Sequence, residues 1–599
     1  MLVVLAAMVP ALPASTRGSH VLAAGEHATS GLCFSGGSLP GALNSQVLFR
    51  ALEEFVSDEV TVSTVSGGSI GYMLAVNYGD RVIIPPLGDD KWDMRRLENW
   101  EGAGDLDPDK LLWNTASKAL NIGALKTCLK DMVVEPFKRL KKMFRWLVSD
   151  VFPESSAEVR ALADDSSSFG LLEAARAAAK RDPRAWMDVV NKTRAGLLTA
   201  QGPAHGRGSV AAQALWKRKV KEPPASCADF PAAPTLLDCL EKDMLFDATP
   251  VWQCIIRYLA KSMELDIEQA QPGPRPWHVT YSATAGKPMK PPFDVPADET
   301  LPALVEQIAV ISFSALDKTH HSNPSLPITG ERSLLFGRFN PASTKSIDLA
   351  YAVGFSSMFI NMGTLLTDHT SGKSCESPLG LPTWAVNYAN YITMDQKADT
   401  FVKERGTDML ATDGGETDVL GIIPLLRQAK TSIVSAFIAP SDPRTYALSR
   451  LFGVVTRKKA CSAYDALGES MQVFKDSSLW APLAEAMTSK ENSGVHVLRD
   501  VEVQANPDLG VPSYTLKTLI IIDNWSKTGF EESVLDGEET LAALQAQGFP
   551  CTGEKTGEGL PDPIDCSLNV SQPVSVAMAL LNQWKVQQNA QVLKDALSA

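Results

Sequence analysis

The sequence predicts an α/β fold, three layers deep with a mainly parallel sheet, from three observations. An apolar run at residues 31–34 ends in a glycine loop, after which apolar positions recur at helical spacing. The β-branched run 59–65 ends at two glycines and leads into a second helical pattern over residues 69–78. The same order of loop, helix and strand returns over residues 410–439. Strands that alternate with helices in this way form parallel sheets covered by helices.

The elements between these regions divide the chain into five parts. We expect an apolar leader or terminal segment, a first part of the core, a helical insertion or cap, a second part of the core, and an acidic surface excursion with a C-terminal helix. Their bounds are 1–27, 28–89, 90–270, 271–526 and 527–599. Further strands are predicted at 278–283, 308–313, 333–336 and 516–522, and a buried helix at 346–366.

The composition excludes several classes of protein. The chain has 599 residues, 45% hydrophobic and 21% charged, which is ordinary globular usage and rules out a disordered or collagen-like chain. Its 56 Lys and Arg against 69 Asp and Glu give a net charge of −13. We therefore expect no nucleic-acid partner, because phosphate binding needs a cationic surface.

The nine cysteines contain no CxxC pair and are irregularly spaced, so the sequence predicts neither a metal site nor a disulfide framework. Cys551 and Cys566 flank a Gly/Pro-rich loop and could form a bridge if the protein is exported. The first fourteen residues are apolar, but they lack the basic start of a secretory signal and are too short to span a bilayer. A cytoplasmic or peripheral membrane location is favoured, the secreted alternative stays open, and no transmembrane helix is predicted.

Ser66 stands directly between a predicted strand and a predicted helix, in the stretch Thr64–Ser69. A serine there lies on a sharp turn, where small neighbours leave its hydroxyl exposed to a reacting group. The helix N-terminus then directs partial positive charge at that group. This arrangement suits acyl transfer.

Ser35 to Ser38 form a second small-residue loop, with Gly36 and Gly37 at its centre. Backbone N–H groups in such a loop can hold the oxyanion of a tetrahedral intermediate. A phosphate loop is the rival interpretation. It is disfavoured because Ala42 and Leu43 stand where Lys and Ser/Thr are required.

Asp413 precedes two glycines after a strand-like approach. An aspartate placed in this way can project into a cleft and accept a proton from a hydroxyl. The alternative is an ordinary Asp-Gly turn.

Taken together, the SGGS loop, the VSGGS turn and the segment Leu410–Arg427 resemble the patatin and cytosolic phospholipase A family of lipid acyl hydrolases. The resemblance covers residues 28–80 and 345–440. It implies a patatin-like core that hydrolyses lipid esters with a Ser66–Asp413 dyad and no cofactor. It also implies that the amides of Gly36, Gly37 and Ser38 form the oxyanion hole.

Three alternatives remain open at the level of sequence. The motif G-x-S-x-G fits residues 67–71 literally, which makes Ser69 an alternative nucleophile. The chain order of Ser66, Asp413 and His496 also fits a Ser-His-Asp triad of an α/β-hydrolase esterase. A catalytically silent lipid-binding relative is the third alternative.

Residues 135–152 predict a basic amphipathic helix with aromatic residues, a pattern typical of segments that lie in a lipid interface. The same pattern fits a cap helix that packs on the core. The interface candidates are Phe137, Lys138, Arg139, Lys141, Lys142, Phe144, Arg145 and Trp146. The expected partner is a peripheral membrane or a lipid aggregate.

Overall fold

The computed structural model describes most of the first part of the predicted core, portions of its second part, and much of the C-terminal region. The longer described ranges are 30–56, 60–78, 85–88, 90–100, 408–416, 418–436, 447–454, 471–506, 509–551 and 570–597. Shorter described pieces lie between residues 128 and 394. The predicted leader, the strand at 333–336 and the candidate membrane helix 135–152 lie outside the described residues.

The described strands form one α/β sheet. They are β1 (Ser30–Phe34), β2 (Thr61–Val65), β3 (Val279–Gly286), β4 (Ile308–Ala315), β5 (Phe339–Pro341), β6 (Ala389–Met394), β7 (Asp408–Asp413), β8 (Ser432–Ala436), β9 (Val495–Val503) and β10 (Tyr514–Ile522). Five of them run parallel, in the order β3-β2-β1-β8-β10. β9 continues the sheet antiparallel beyond β10, while β4 and β7 pair antiparallel with β3. The prediction of a mainly parallel α/β sheet is confirmed for the part formed by β3, β2, β1, β8 and β10.

The helices of the described residues follow the strands in the order expected of an α/β fold. They are α1 (Ser38–Leu52), α2 (Gly67–Tyr78), α3 (Met94–Glu98), α4 (Ile423–Arg427), α5 (Ala447–Leu451), α6 (Trp480–Thr488), α7 (Thr528–Val534), α8 (Gly537–Ala546), α9 (Gln572–Gln588) and α10 (Ala590–Leu597).

The strands β1, β2 and β8 are buried along their whole length. Successive residues of a strand point to opposite faces of the sheet, so two neighbouring residues of β1 show what covers each face. Phe34 of β1 packs against Phe49 of α1 and Tyr72 of α2, with ring centroids 5.9–6.4 Å from Phe34. The preceding residue, Cys33, joins the apolar cluster on the other face, which includes Leu425 of α4 and other residues from α5 and α6. Helices therefore cover the sheet on both sides.

The C-terminal part of the chain packs onto this core. The hydroxyls of Ser30 and Ser432 both donate to the carbonyl of Ala596, at 3.0 and 2.9 Å. The region predicted to start with an acidic surface excursion, 527–599, begins with the helices α7 and α8. α7 and α8 form there because Phe530 and Leu544 supply apolar side chains that the core buries.

The structure also corrects the prediction for cysteine. Cys128 and Cys227 form a disulfide bond, and Cys551 is disulfide-bonded as well. The fold brings Cys128 and Cys227 together across 99 residues, which irregular spacing in the sequence cannot reveal. Cys566 lies outside the described residues. Disulfides persist in oxidising compartments, so this pairing is compatible with the secreted alternative.

Candidate active site

Strand β3 brings Ser66 and Asp413 together from positions 347 residues apart. β2 and β7 both pair with β3, end to end. Val65, the last residue of β2, lies opposite Ser282, and Asp413, the last residue of β7, lies opposite the next residue, Ala283. The carboxyl ends of two strands therefore meet at one point of the sheet.

Ser66 occupies the sharp turn that the sequence predicts between β2 and α2. Its φ of 53° is in the left-handed region, which for a residue other than glycine costs about 1–3 kcal/mol. The turn places Ser66 directly before the N-terminus of the twelve-residue helix α2. The partial positive charge of that helix end lies next to the Ser66 hydroxyl.

The Ser66 hydroxyl donates to the Asp413 carboxylate, with 2.8 Å between Oγ and Oδ2. The other carboxylate oxygen, Oδ1, accepts the Gly415 N–H at 2.7 Å. Asp413 is buried, and Ser66 keeps 7% of its surface exposed. The pair thus joins a hydroxyl to a carboxyl group at the ordinary length of an O–H···O hydrogen bond.

Burial raises the pKa of Asp413 from its ordinary 3.8 to about 7, although the Gly415 amide and the Ser66 hydroxyl oppose this rise. Desolvation disfavours the charged form of a buried carboxyl group. A group with a pKa near neutrality can both accept and return a proton at physiological pH. The electrostatics of the site therefore suit general acid–base chemistry.

The glycine loop lies directly against Ser66. A Cβ on Gly36 would stand 2.9 Å from the Ser66 Cβ, so only glycine fits without displacing the turn. Gly37 follows with a φ of 136° and is the N-cap residue of α1, which begins at Ser38. The start of α1 therefore carries backbone N–H groups next to Ser66.

The structure corrects the expectation for the Gly36 amide. Its N–H donates to the carbonyl of Val419 at 2.7 Å, so in this state it is engaged with the Asp413 loop. Of the three predicted oxyanion donors, Gly37 and Ser38 remain candidates. Sequence reasoning missed the Gly36 contact because Val419 approaches through its backbone, which leaves no residue-type signal.

Asp418 organises the loop that carries Asp413 and Val419. Its buried carboxylate accepts the N–H groups of Ile422 and Ile423 at 3.0 and 3.1 Å and so caps the start of α4. The sequence analysis did not single out Asp418. Asp418 lies four residues before Ile422, the N-cap position of α4, so the usual sequence signal of a capping residue does not mark it.

Ser69 does not share the position of Ser66. It lies in the first turn of α2 and is fully buried. Its Oγ is 2.9 Å from the Thr64 hydroxyl and 2.7 Å from the Ser356 hydroxyl. The structure therefore places the alternative nucleophile inside a network of hydroxyls, while Ser66 is the serine in contact with Asp413.

The triad alternative is wrong in its geometry. His496 lies on β9, which four strand steps separate from β2, or about 19 Å at a strand spacing near 4.8 Å. Its Nε2 bonds to the carboxylate of Asp523 at 2.7 Å. The chain order permitted a triad, but the position of β9 at the sheet edge separates the histidine from Ser66.

Comparisons of the chain with protein-family models, with curated proteins and with solved structures give no match. Within the described residues, no group of histidine, cysteine, aspartate and glutamate side chains could hold a metal ion. No helix in this part of the chain is long and apolar enough to cross a membrane.

Proposed function

We propose that this protein is a serine acyl hydrolase that uses Ser66 as its nucleophile and Asp413 as its general base. The observation that carries the proposal is the 2.8 Å hydrogen bond from the Ser66 hydroxyl to the buried Asp413 carboxylate. The left-handed turn at Ser66 and the helix N-terminus beside it support the same assignment. Each feature has a defined part in acyl transfer.

In the first half of the reaction, Ser66 Oγ attacks the carbonyl carbon of an ester while Asp413 accepts the hydroxyl proton. The negative charge on the carbonyl oxygen is stabilised by N–H donors, for which the amides of Gly37 and Ser38 are our candidates. The intermediate then collapses, the alcohol leaves with the proton held by Asp413, and an acyl-enzyme remains.

In the second half, water attacks the acyl-enzyme and Asp413 takes a proton from it. Collapse of the second intermediate returns that proton to Ser66 and releases the carboxylic acid. The two halves sum to ester and water giving acid and alcohol. No metal or organic cofactor enters these steps.

Lipid esters are the substrate class that we propose, and a patatin-like core is the proposed fold. The support is the resemblance of the SGGS loop, the turn at Ser66 and the Asp413–Gly415 segment to that family. In this proposal the protein acts as a peripheral enzyme on a membrane or lipid aggregate. The basic segment 135–152, for which the sequence predicts an amphipathic helix, is the candidate surface for that contact.

Intact-mass analysis after treatment with a long-chain alkyl fluorophosphonate tests the nucleophile. We expect one adduct on the wild type, none on Ser66→Ala, and an adduct that persists on Ser69→Ala. Labelled wild type should also lose the ability to release fatty acid from phosphatidylcholine vesicles.

Three results would overturn parts of the proposal. An adduct that disappears in Ser69→Ala and remains in Ser66→Ala would move the nucleophile to the helix. Folded wild type that forms no adduct, yet binds the vesicles, would identify a silent lipid-binding protein. Release from a short soluble ester without release from vesicles would replace the lipid substrate but leave the dyad in place.

A further inference from the structure

The backbone of the Ser66 turn is held from outside its own strand and helix. The Ser66 N–H donates to the carbonyl of Ser356 at 2.9 Å. The Ser66 carbonyl accepts the N–H of Ser69, in the first turn of α2, at 3.0 Å. Ser66 and Ser356 are 290 residues apart in the chain. The left-handed conformation at Ser66 therefore persists with support from a distant segment.

Ser356 is suited to this contact because it ends a helical stretch. Residues 353, 354 and 356 are helical and Ser357 lies in a turn, where its N–H bonds back to the carbonyl of Val353 at 3.0 Å. The last carbonyls of a helix have no N–H donor within the helix. The Ser356 carbonyl finds its donor in the Ser66 amide.

Three hydroxyls connect the same elements through their side chains. The Ser69 Oγ stands between the other two, 2.9 Å from Thr64 Oγ1 and 2.7 Å from Ser356 Oγ. The Ser356 hydroxyl also accepts the Ser66 N–H at 3.3 Å. All three residues are fully buried, so their hydroxyls bond to protein groups and not to bulk water.

We propose that the hydroxyl chain formed by Thr64, Ser69 and Ser356 positions the Ser66 nucleophile, an inference that rests on the function proposed above. The chain ties the end of β2, the first turn of α2 and the 353–357 stretch into one hydrogen-bonded unit. Ser66 lies inside this unit, and its Oγ must stay aligned with both Asp413 and the incoming carbonyl. Thr64, Ser69 and Ser356 are positioning residues, because they act through the turn.

The hydroxyl chain also gives a role to Thr64. A nucleophile turn of the G-x-S-x-G type has glycine two residues before the serine, where this protein has threonine. The threonine hydroxyl supplies one end of the hydroxyl chain, which glycine cannot do. Loss of the central Ser69 hydroxyl would leave the other two hydroxyls without that bond in a buried site.

The labelling kinetics of four variants test this inference. Thr64→Val removes a hydroxyl and keeps the shape of the side chain. Thr64→Ser keeps the hydroxyl, and Ser69→Ala removes the central hydroxyl of the hydroxyl chain. Ser45→Ala is the matched control, because Ser45 is a buried helical serine whose hydroxyl bonds to the Gly41 carbonyl of its own helix. The measurements are the fluorophosphonate labelling rate at saturation, the half-saturating probe concentration, the pH midpoint of labelling and the thermal unfolding midpoint.

We expect Thr64→Val and Ser69→Ala to label Ser66 about tenfold to a hundredfold more slowly at saturation, because small misplacements of a reacting group have effects of this size. The half-saturating concentration and the pH midpoint set by Asp413 should stay unchanged, which a general loosening of the site would not allow. Thr64→Ser should recover most of the rate, and Ser45→Ala should label like the wild type.

Labelling of Thr64→Val and Ser69→Ala at the wild-type rate would overturn the positioning role and leave the proposed function intact. Equally slow labelling of Thr64→Val and Thr64→Ser would assign the effect to shape and also overturn it. Wild type that fails to label would overturn both proposals. If Ser69→Ala does not fold, the Thr64 pair alone decides, since Thr64→Val preserves the volume near the turn and Thr64→Ser preserves the hydroxyl.

Discussion

Two buried aspartates, Asp413 and Asp523, follow or end strands of the same sheet and differ in what surrounds them. Asp413 is bonded by a hydroxyl and a backbone amide, both neutral, and burial raises its pKa to about 7. Asp523 lies between the ammonium groups of Lys527 and Lys585, at 2.8 and 2.9 Å, and also bonds to His496. Burial alone would raise its pKa, but Lys585, the hydrogen bond from His496 and Lys527 together lower it to about 2.

The comparison shows that burial by itself does not give a carboxyl group a chemical role. At neutral pH the carboxyl of Asp523 is held ionised by its cations, so it cannot take up a proton. Asp413 lies close to the midpoint of its titration, where proton transfer in either direction is easy. We infer that Asp523 joins β10, α9 and the loop after α6 as a structural centre, while Asp413 is available for chemistry.

The largest expected effect separates the two residues by activity. Asp413→Asn keeps the shape of the site and removes the proton acceptor, so we expect Ser66 labelling to slow by about 10²–10⁴-fold. Asp523→Asn should label normally for each folded molecule. Labelling rates scaled by the folded fraction check this, and an equal loss in both variants would contradict the assignment of roles.

The free energy of unfolding should separate the two residues in the other direction, because Asp523→Asn is expected to lower it. Asp523→Asn leaves two fully buried ammonium groups without their counter-charge, so we expect the free energy of unfolding at pH 7 to fall by about 3–5 kcal/mol. Urea unfolding measures it. The Asp523 charge contributes stability above its ordinary pKa of 3.8 and loses it as the pH falls toward about 2, so the deficit should narrow on acidification.

A matched control for this experiment is Glu502→Gln, which breaks the exposed pair between Lys475 and Glu502. An exposed ion pair contributes little, so its unfolding midpoint should match that of the wild type. If Asp523→Asn unfolded at that same midpoint, the buried cluster would not be a structural centre.

A third expected effect is a gain in stability from Asp413→Asn that is absent near pH 4 and grows until the pH has passed about 7. The folded pKa of Asp413 is raised, so its stabilising contribution is complete below 3.8 and is lost as the pH rises through about 7. Above that pH the ionised buried carboxylate destabilises the fold by up to about 4 kcal/mol, from about 1.4 kcal/mol per pH unit. The neutral amide of the Asp413→Asn variant carries no such penalty. Urea unfolding should therefore show a stabilised variant at about pH 8.5 and no gain at about pH 4; a gain of equal size at both would exclude the pKa as its cause.

The local features of this protein follow from its sequence, because they depend on neighbouring residues. The β-branched run before Ser66 and the small residues after it specify a strand, a sharp turn and a helix, and the structure has all three. The strand predicted at 516–522 forms as part of β10, and the strand predicted within 410–439 forms as β8 over Ser432–Ala436. Steric preference and side-chain alternation act over a few residues, so they can be read directly.

Tertiary structure decided what depends on residues far apart in the chain. The register of β3 brings Asp413 to Ser66, and the position of β9 removes His496 from them. The engaged Gly36 amide and the raised pKa of Asp413 both arise from close packing of the loops around the site. Sequence indicates which groups can react, but strand register and burial determine which of them meet and in which protonation state, because both are sums over distant contacts.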